Sequence, residues 1–239
     1  MSQEAGLRGV IQAVGDLDAS VRVRMFDLME AAYEGVTWEQ FHRDLEEKDQ
    51  VILLQQAGTG DLQGFSTVRI EHLELQEEPV IVLFSGDTIV EAQARGDVEL
   101  ARQWLRLALD VADAHPERRM MWFLICSGYK TYRMLPVFFE QFVPRHDVKD
   151  PTLQRMLHEI ANGQFPEEYD QTTGIIRLPH PTPLRSGVAD ITPERLRDPH
   201  VAYFVERNPR HDRGDELACL TEITRKNLTR AGRRILTSI

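Results

Sequence analysis

Two wholly apolar runs, PVIVLF (79–84) and MMWFLIC (120–126), constrain this chain most. Neither alternates apolar with polar residues, so each predicts a strand covered on both faces. Between them, residues 97–115 place Val98, Ala101, Leu105, Ala108, Leu109 and Ala112 on one helical stripe. The stretch 80–142 therefore reads strand, turn, helix, strand, turn, helix. Polar and small residues gather where each strand ends: Ser85, Gly86, Asp87 and Thr88 after the first, Cys126, Ser127, Gly128 and Tyr129 after the second. Ligands of α/β proteins bind outside the carboxyl ends of neighbouring strands, so chemistry is sought there.

The flanks supply further elements. Asp18 to Ser20 can cap a helix over 19–34, and Thr37 with Gln40 forms a capping-box signature before Trp38, Phe41 and Leu45. VILLQQ (51–56) and FSTVRIEHLEL (65–75), joined by a glycine-rich turn, read as an antiparallel hairpin. TYRMLPVFFEQF (131–142) reads as a helix with Pro136 in its first turn or at a kink. A further helix is expected at 151–162. GIIRLPH (174–180) and HVAYFVERN (200–208) read as strands, with a short helical turn in ITPERLRD between them. Residues 214–236 read as an amphipathic helix carrying Leu217, Leu220, Ile223, Leu228 and Ile235. Residues 1–17 read as a frayed leader or short helix, 18–145 as the core, and 146–239 as strands and a helical extension completing one domain.

Composition excludes several classes. Of 239 residues, 42% are hydrophobic and 28% charged, ordinary for a globular protein. A formal net charge of -10 argues against nucleic acid or an anionic membrane as the main partner. Two cysteines and eight scattered histidines give neither a disulfide framework nor metal-ligand spacing, so no metal is expected and a reducing cytoplasm suits the chain. MSQEAGLRGVIQAVGD lacks the parts of a signal peptide, and no apolar run approaches the about 20 residues of a membrane span.

Several residues could carry chemistry. Asp87 and Glu91, four apart at the end of the central strand, are candidate bases, although Ser-Gly-Asp-Thr also reads as a β-bulge or turn. Cys126 is a candidate nucleophile, or a small buried hydrophobe. Arg95 and Gly96 at a helix start could hold phosphate, unless Asp97 and Glu99 already satisfy that helix end. Lys130 and Arg133 flank Tyr132. Arg207 to Glu216 could form a phosphate clamp or lid, or a plain polar loop. Trp38, Trp104 and Trp122 read as core.

The order helix, helix, hairpin, central strand, helix, strand, helix resembles the GNAT (N-acetyltransferase-like) superfamily over residues 18–145. PVIVLFSGDTIV lies where that family has its fourth strand, Arg95-Gly96-Asp97 where it has its pyrophosphate loop, and FLICSGYKTYRMLPVFFEQF where it has its fifth strand and short helix. The loop departs from the family pattern, lacking its second small residue. The resemblance implies an α/β (α+β) fold with a mixed, mostly antiparallel sheet flanked by helices. It implies acyl transfer from an acyl-CoA or acyl-phosphopantetheine thioester, with a possible acyl carrier protein as partner, to a small-molecule amine. It maps the thioester slot to 84–90 and 124–130, hence to Ser85, Gly86, Ser127 and Gly128. Arg95 and Gly96 then meet phosphate, and Tyr132 protonates the leaving thiolate. A GNAT-like binding or regulatory module, or a hydrolase using Cys126 or the Asp87/Glu91 pair, are the competing expectations.

Overall fold

A computed structural model describes residues 6–237. Their strands form one mixed sheet in the order β1-β2-β3-β4-β5-β8-β7-β6. The strands are β1 (Leu7–Ala13), β2 (Gln50–Gln56), β3 (Leu62–Leu75), β4 (Glu78–Val90), β5 (Arg119–Cys126), β6 (Tyr169–Asp170), β7 (Ile175–Ile176) and β8 (Glu216–Glu222). The β4/β5 pair is parallel, and the other pairs between these strands are antiparallel. The helices are α1 (Ala19–Ala32), α2 (Trp38–Glu46), α3 (Glu99–Ala114), α4 (Tyr129–Tyr132), α5 (Met134–Phe138), α6 (Pro151–Gln164), α7 (Pro199–Arg207) and α8 (Arg230–Thr237). None is long and apolar enough to cross a membrane.

Alternation along each strand divides the core. Ile52, Leu54, Ile81, Leu83, Trp122 and Leu124 face α3, α5, α7 and α8. Val51, Leu53 and Phe65 face α1 and α2, whereas Val80, Val82, Phe84, Met121 and Phe123 face α6. The central strands thus bury both faces, as their unbroken apolar sequence requires. Trp104 and Trp122 pack with ring centroids 4.2 Å apart and planes tilted by 38° in this core. Thr37 caps α2 by accepting from the Gln40 backbone N–H, as its sequence signature predicts.

Four expectations are corrected. Residues 7–13 are neither leader nor helix but an edge strand on β2; residues 1–5 lie outside the described residues. Residues 200–207 are helical: Asp198 accepts from the His200 N–H and Pro199 opens α7, so the cap overrides the strand-like alternation of Val201, Tyr203 and Val205. The segment 131–142 is two short helical pieces, and the chain turns extended at Phe139. The tail is not one helix. Residues 216–222 are a strand inserted between β5 and β7, with Leu217 to Thr221 fully buried, and only Arg230–Thr237 is helical. The long-range partner β5 decides this, because pairing satisfies the backbone of a segment that must be buried on both faces.

Candidate functional site

The sheet splits at its centre. Parallel pairing of β4 with β5 runs from Val80↔Arg119 to Ser85↔Leu124 and ends there. Beyond it, β5 continues with β8 through Ile125↔Ala218 and Cys126↔Leu217, while β4 continues with β3 through Thr88↔Ser66 and Ile89↔Phe65. The cause is local. Between the pairs Val68↔Ser85 and Ser66↔Thr88, the two residues Gly86 and Asp87 stand opposite the single Thr67. This is a β-bulge, which bends and over-twists its strand. It turns β4 away from β5 at the residue where their pairing stops.

Cavities lie on both faces of the gap. On the α1/α2/α6 face is one of about 330 Å³, with apolar walls from Met29, Val36, Phe41, Phe84, Ile125, Phe165 and Leu178. Its polar lining includes Tyr33, Asp44, Lys48, Arg69, Asp87, Ser127 and Glu216. On the α3 face is a narrow one of about 20 Å³, lined by Ser85, Leu100, Trp104, Trp122, Leu124 and Met134 among others. Gly86, Thr88, Ile125 and Thr131 line both.

The larger cavity perturbs its ionisable groups. Burial raises the Glu216 carboxyl from 4.5 to about 7; the Ser127 hydroxyl opposes the rise and the Asp87 charge adds to it. Burial also raises Asp87, against the pull of Lys48 and with a contribution from Asp44. The Lys48 ammonium is pushed down by burial, which the Asp87 charge opposes and Arg69 reinforces. Tyr33 is pushed up by burial and by the charges of Glu216 and Asp87. Burial thus disfavours the charge on both carboxyls, and the Asp87 charge adds to the rise of Glu216, which makes Glu216 a proton acceptor near neutrality.

The sequence-predicted residues distribute unevenly around this centre. Asp87, Gly86 and Ser127 line the larger cavity and Ser85 the smaller. Ser85 is also structural: its Oγ accepts from Trp104 Nε1 at 3.0 Å and Trp122 Nε1 at 2.9 Å. Gly128 lies beneath Leu184, whose Cδ1 would be 2.9 Å from an added Cβ. Glu91 is held by Arg24 and Gln93, outside both cavity linings. Cys126 is fully buried, its Sγ 3.9 Å from Cys219 Sγ, and burial pushes its thiol well up; this is a packed hydrophobe, not an accessible nucleophile. Tyr132 is also fully buried and donates to the Pro144 carbonyl at 2.9 Å, so its hydroxyl serves packing rather than the gap.

At the α3 start, Arg95 Nε donates to the Val90 carbonyl and Gly96 takes a φ of 100°. Asp97 Oδ1 accepts from the Glu99 N–H at 2.7 Å. Glu99 accepts from Gln103 and the Gly9 N–H and pairs with Arg102; against the cost of burial, these contacts leave its carboxyl below its usual range. Acids of the chain therefore occupy the helix end expected to meet phosphate. The Arg207–Glu216 stretch is a loop in which Arg177 and Arg210 pair with Asp215, and only Glu216 reaches the cavity lining. Sequence reasoning missed Tyr33 and Lys48 and reached Glu216 only as the end of a candidate clamp or lid, because the three come from different elements with no motif joining them.

No family model matches the chain, and no curated protein matches it. Among solved structures it is similar to a GNAT family N-acetyltransferase from Escherichia coli in complex with CoA. That match has 15% identity, covers 56% of this chain and 71% of that one, and has a TM-score of 0.38. It is similar to a Mycobacterium tuberculosis protein in complex with CoA, at 9% identity, 90% and 99% coverage, and a TM-score of 0.42. A third, a conserved Enterococcus faecalis protein of unknown function, shares 15% identity over 57% of this chain, with a TM-score of 0.41; the match spans 33% of that protein.

Proposed function

We propose that the chain transfers an acyl group from a CoA or carrier-protein thioester to a small-molecule amine. The observation that carries this reading is the split of the sheet after Ser85 and Leu124, with cavities on both faces sharing Gly86, Thr88, Ile125 and Thr131. A thioester arm would enter from the narrow side, against Trp104, Trp122 and Met134, and that side, with room for about one water at about 20 Å³, must widen to take it. The wider side admits an acceptor. An amine must lose a proton to attack the thioester carbonyl, and Glu216, with a pKa of about 7, suits the role of base. Asp87 stands at the bulge, beside the path that the acyl carbon would take. The two free cysteines, both buried, fit a reducing cytoplasm and leave the acyl transfer direct rather than through an acyl-enzyme.

The occupied α3 end favours a second reading, a binding module that keeps the gap without the chemistry. Ligand-dependent melting and thiol release together separate the two. Acetyl-CoA, or an acylated carrier protein, at 100 times its Kd is expected to stabilise the chain by about 2.7 kcal/mol. Thiol release in the presence of amines then reports catalysis; a melting shift without it supports the binding module. Gly86→Ala is expected to abolish the shift, and the melting temperature without ligand shows whether the variant is folded when the shift is read. A Cβ there would lie 2.7 Å from Thr67 Oγ1 and 2.8 Å from Lys48 Cε, narrowing the gap at its entrance. If neither thioester changes the melting temperature, the acyl-transfer reading fails.

A further inference from the structure

Lys48 follows α2 and reaches over the bulge. Its Nζ donates to the Asp44 carbonyl at 2.7 Å and sits 5.8 Å from the centroid of the Phe84 ring. A Cβ on Gly86 would meet Lys48 Cε at 2.8 Å and Nζ at 3.7 Å, so the amine lies directly above the residue at which β4 leaves β5. Gly86 belongs to both cavities. The chain has four lysines, and the other three, Lys130, Lys149 and Lys226, are absent from the lining of the larger cavity.

We propose that Lys48 is a self-acylation site, taking the acyl group from a thioester held in the gap when no acceptor amine is present. This rests on the thioester reading above. The free amine of Lys48 attacks the thioester carbonyl carbon. The N–C bond forms and the C–S bond breaks. The proton lost from nitrogen ends on the departing sulfur, so the products are an acyl-lysine amide and a free thiol, with no further reactant. Burial supplies the free amine by pushing the ammonium below its usual range. The product removes the Lys48 charge that holds Asp87 down, and an amide nitrogen no longer attacks, so each chain takes one acyl group at this lysine.

The full chain incubated with acetyl-CoA and no amine tests this. Peptide mapping by mass spectrometry follows each lysine, and the exposed Lys149 and Lys226 report uncatalysed acetylation in the same tube. Lys48 is expected to acquire acetyl roughly tenfold or more faster than either, since a positioned amine gains effective concentration over a solvated one. Excess CoA should suppress labelling of Lys48 alone, and Lys48→Arg should leave the labelling of Lys149 and Lys226 unchanged. Labelling of Lys48 no faster than theirs, or insensitive to CoA, overturns the proposal. The melting shift with CoA locates the failure. A shift without selective labelling removes self-acylation and leaves the thioester slot standing; no shift and no selective labelling remove both.

Discussion

Glu216→Gln is expected to lower kcat/KM for thioester aminolysis by about 10²–10⁴, the range for loss of a general base. In the parent chain, activity should rise with pH through an apparent pKa near 7, because the base must be ionised, and this limb should vanish in the variant. The same substitution should act oppositely on stability. The Glu216 carboxyl sits at about 7 in the folded chain against 4.5 as its ordinary value, so the fold prefers its protonated form. Its contribution to stability is full below about pH 4.5 and is lost as pH rises through 7. Gln mimics the protonated acid at every pH. The variant should therefore match the parent at acid pH and exceed it above neutrality, by on the order of 1–3 kcal/mol after discounting for partial solvent access. Denaturant midpoints across pH measure this. A variant that keeps both the activity and the ascending limb would place the base elsewhere, with Asp87→Asn as the next test.

Ser85→Ala is expected to cost about 2–5 kcal/mol. Ser85 Oγ accepts from two indole N–H groups, Trp104 on α3 and Trp122 on β5, and both rings are almost wholly buried. Removing the acceptor orphans two buried donors, each at about 1–3 kcal/mol, less whatever a water entering the cavity lined by Ser85, Trp104 and Trp122 restores. Trp122→Phe removes one donor together with its need but leaves a cavity in the core, so its cost measures packing as well as the hydrogen bond. Urea unfolding gives both values. A change in midpoint worth less than about 0.5 kcal/mol for Ser85→Ala would mean that the indoles find other acceptors. The prediction matters for function, since Ser85 also carries the last β4/β5 pair before the sheet opens.

The central segment was legible because its signals are local. PVIVLF and MMWFLIC announce buried strands through unbroken apolarity, residues 97–115 a helix through their 3.6-residue stripe, and Thr37 a cap through Gln40. The polar cluster Ser85 to Thr88 was legible as a bulge or turn, and a bulge is what stands there. The C-terminal third was not. Leu217, Leu220 and Ile223 fall at spacings that suit a helix, and nothing nearby opposes that reading, yet β5 offers an unpaired edge 93 residues away, the separation of Cys126 from Cys219. Residues 200–207 carry their helix signal in Asp198-Pro199, and the alternation of Val201, Tyr203 and Val205 masks it.

The sequence by itself determined that Ser85, Gly86, Asp87 and Ser127 gather at the strand ends where the two cavities lie, because the strands are plain to read and their ends collect polar residues. Only the tertiary structure decided what accompanies them. Tyr33 comes from the end of α1, Lys48 from beyond α2 and Glu216 from the start of β8, each aimed at the gap by packing across the sheet. Tertiary structure also withdrew Cys126 and Tyr132, which stand at the right strand end but point into the core. The physical reason is the same in each case. Local spacing fixes which face of an element is apolar, whereas which distant groups share one low-dielectric cavity, and so which carboxyl titrates near 7, depends on contacts between elements far apart in the chain.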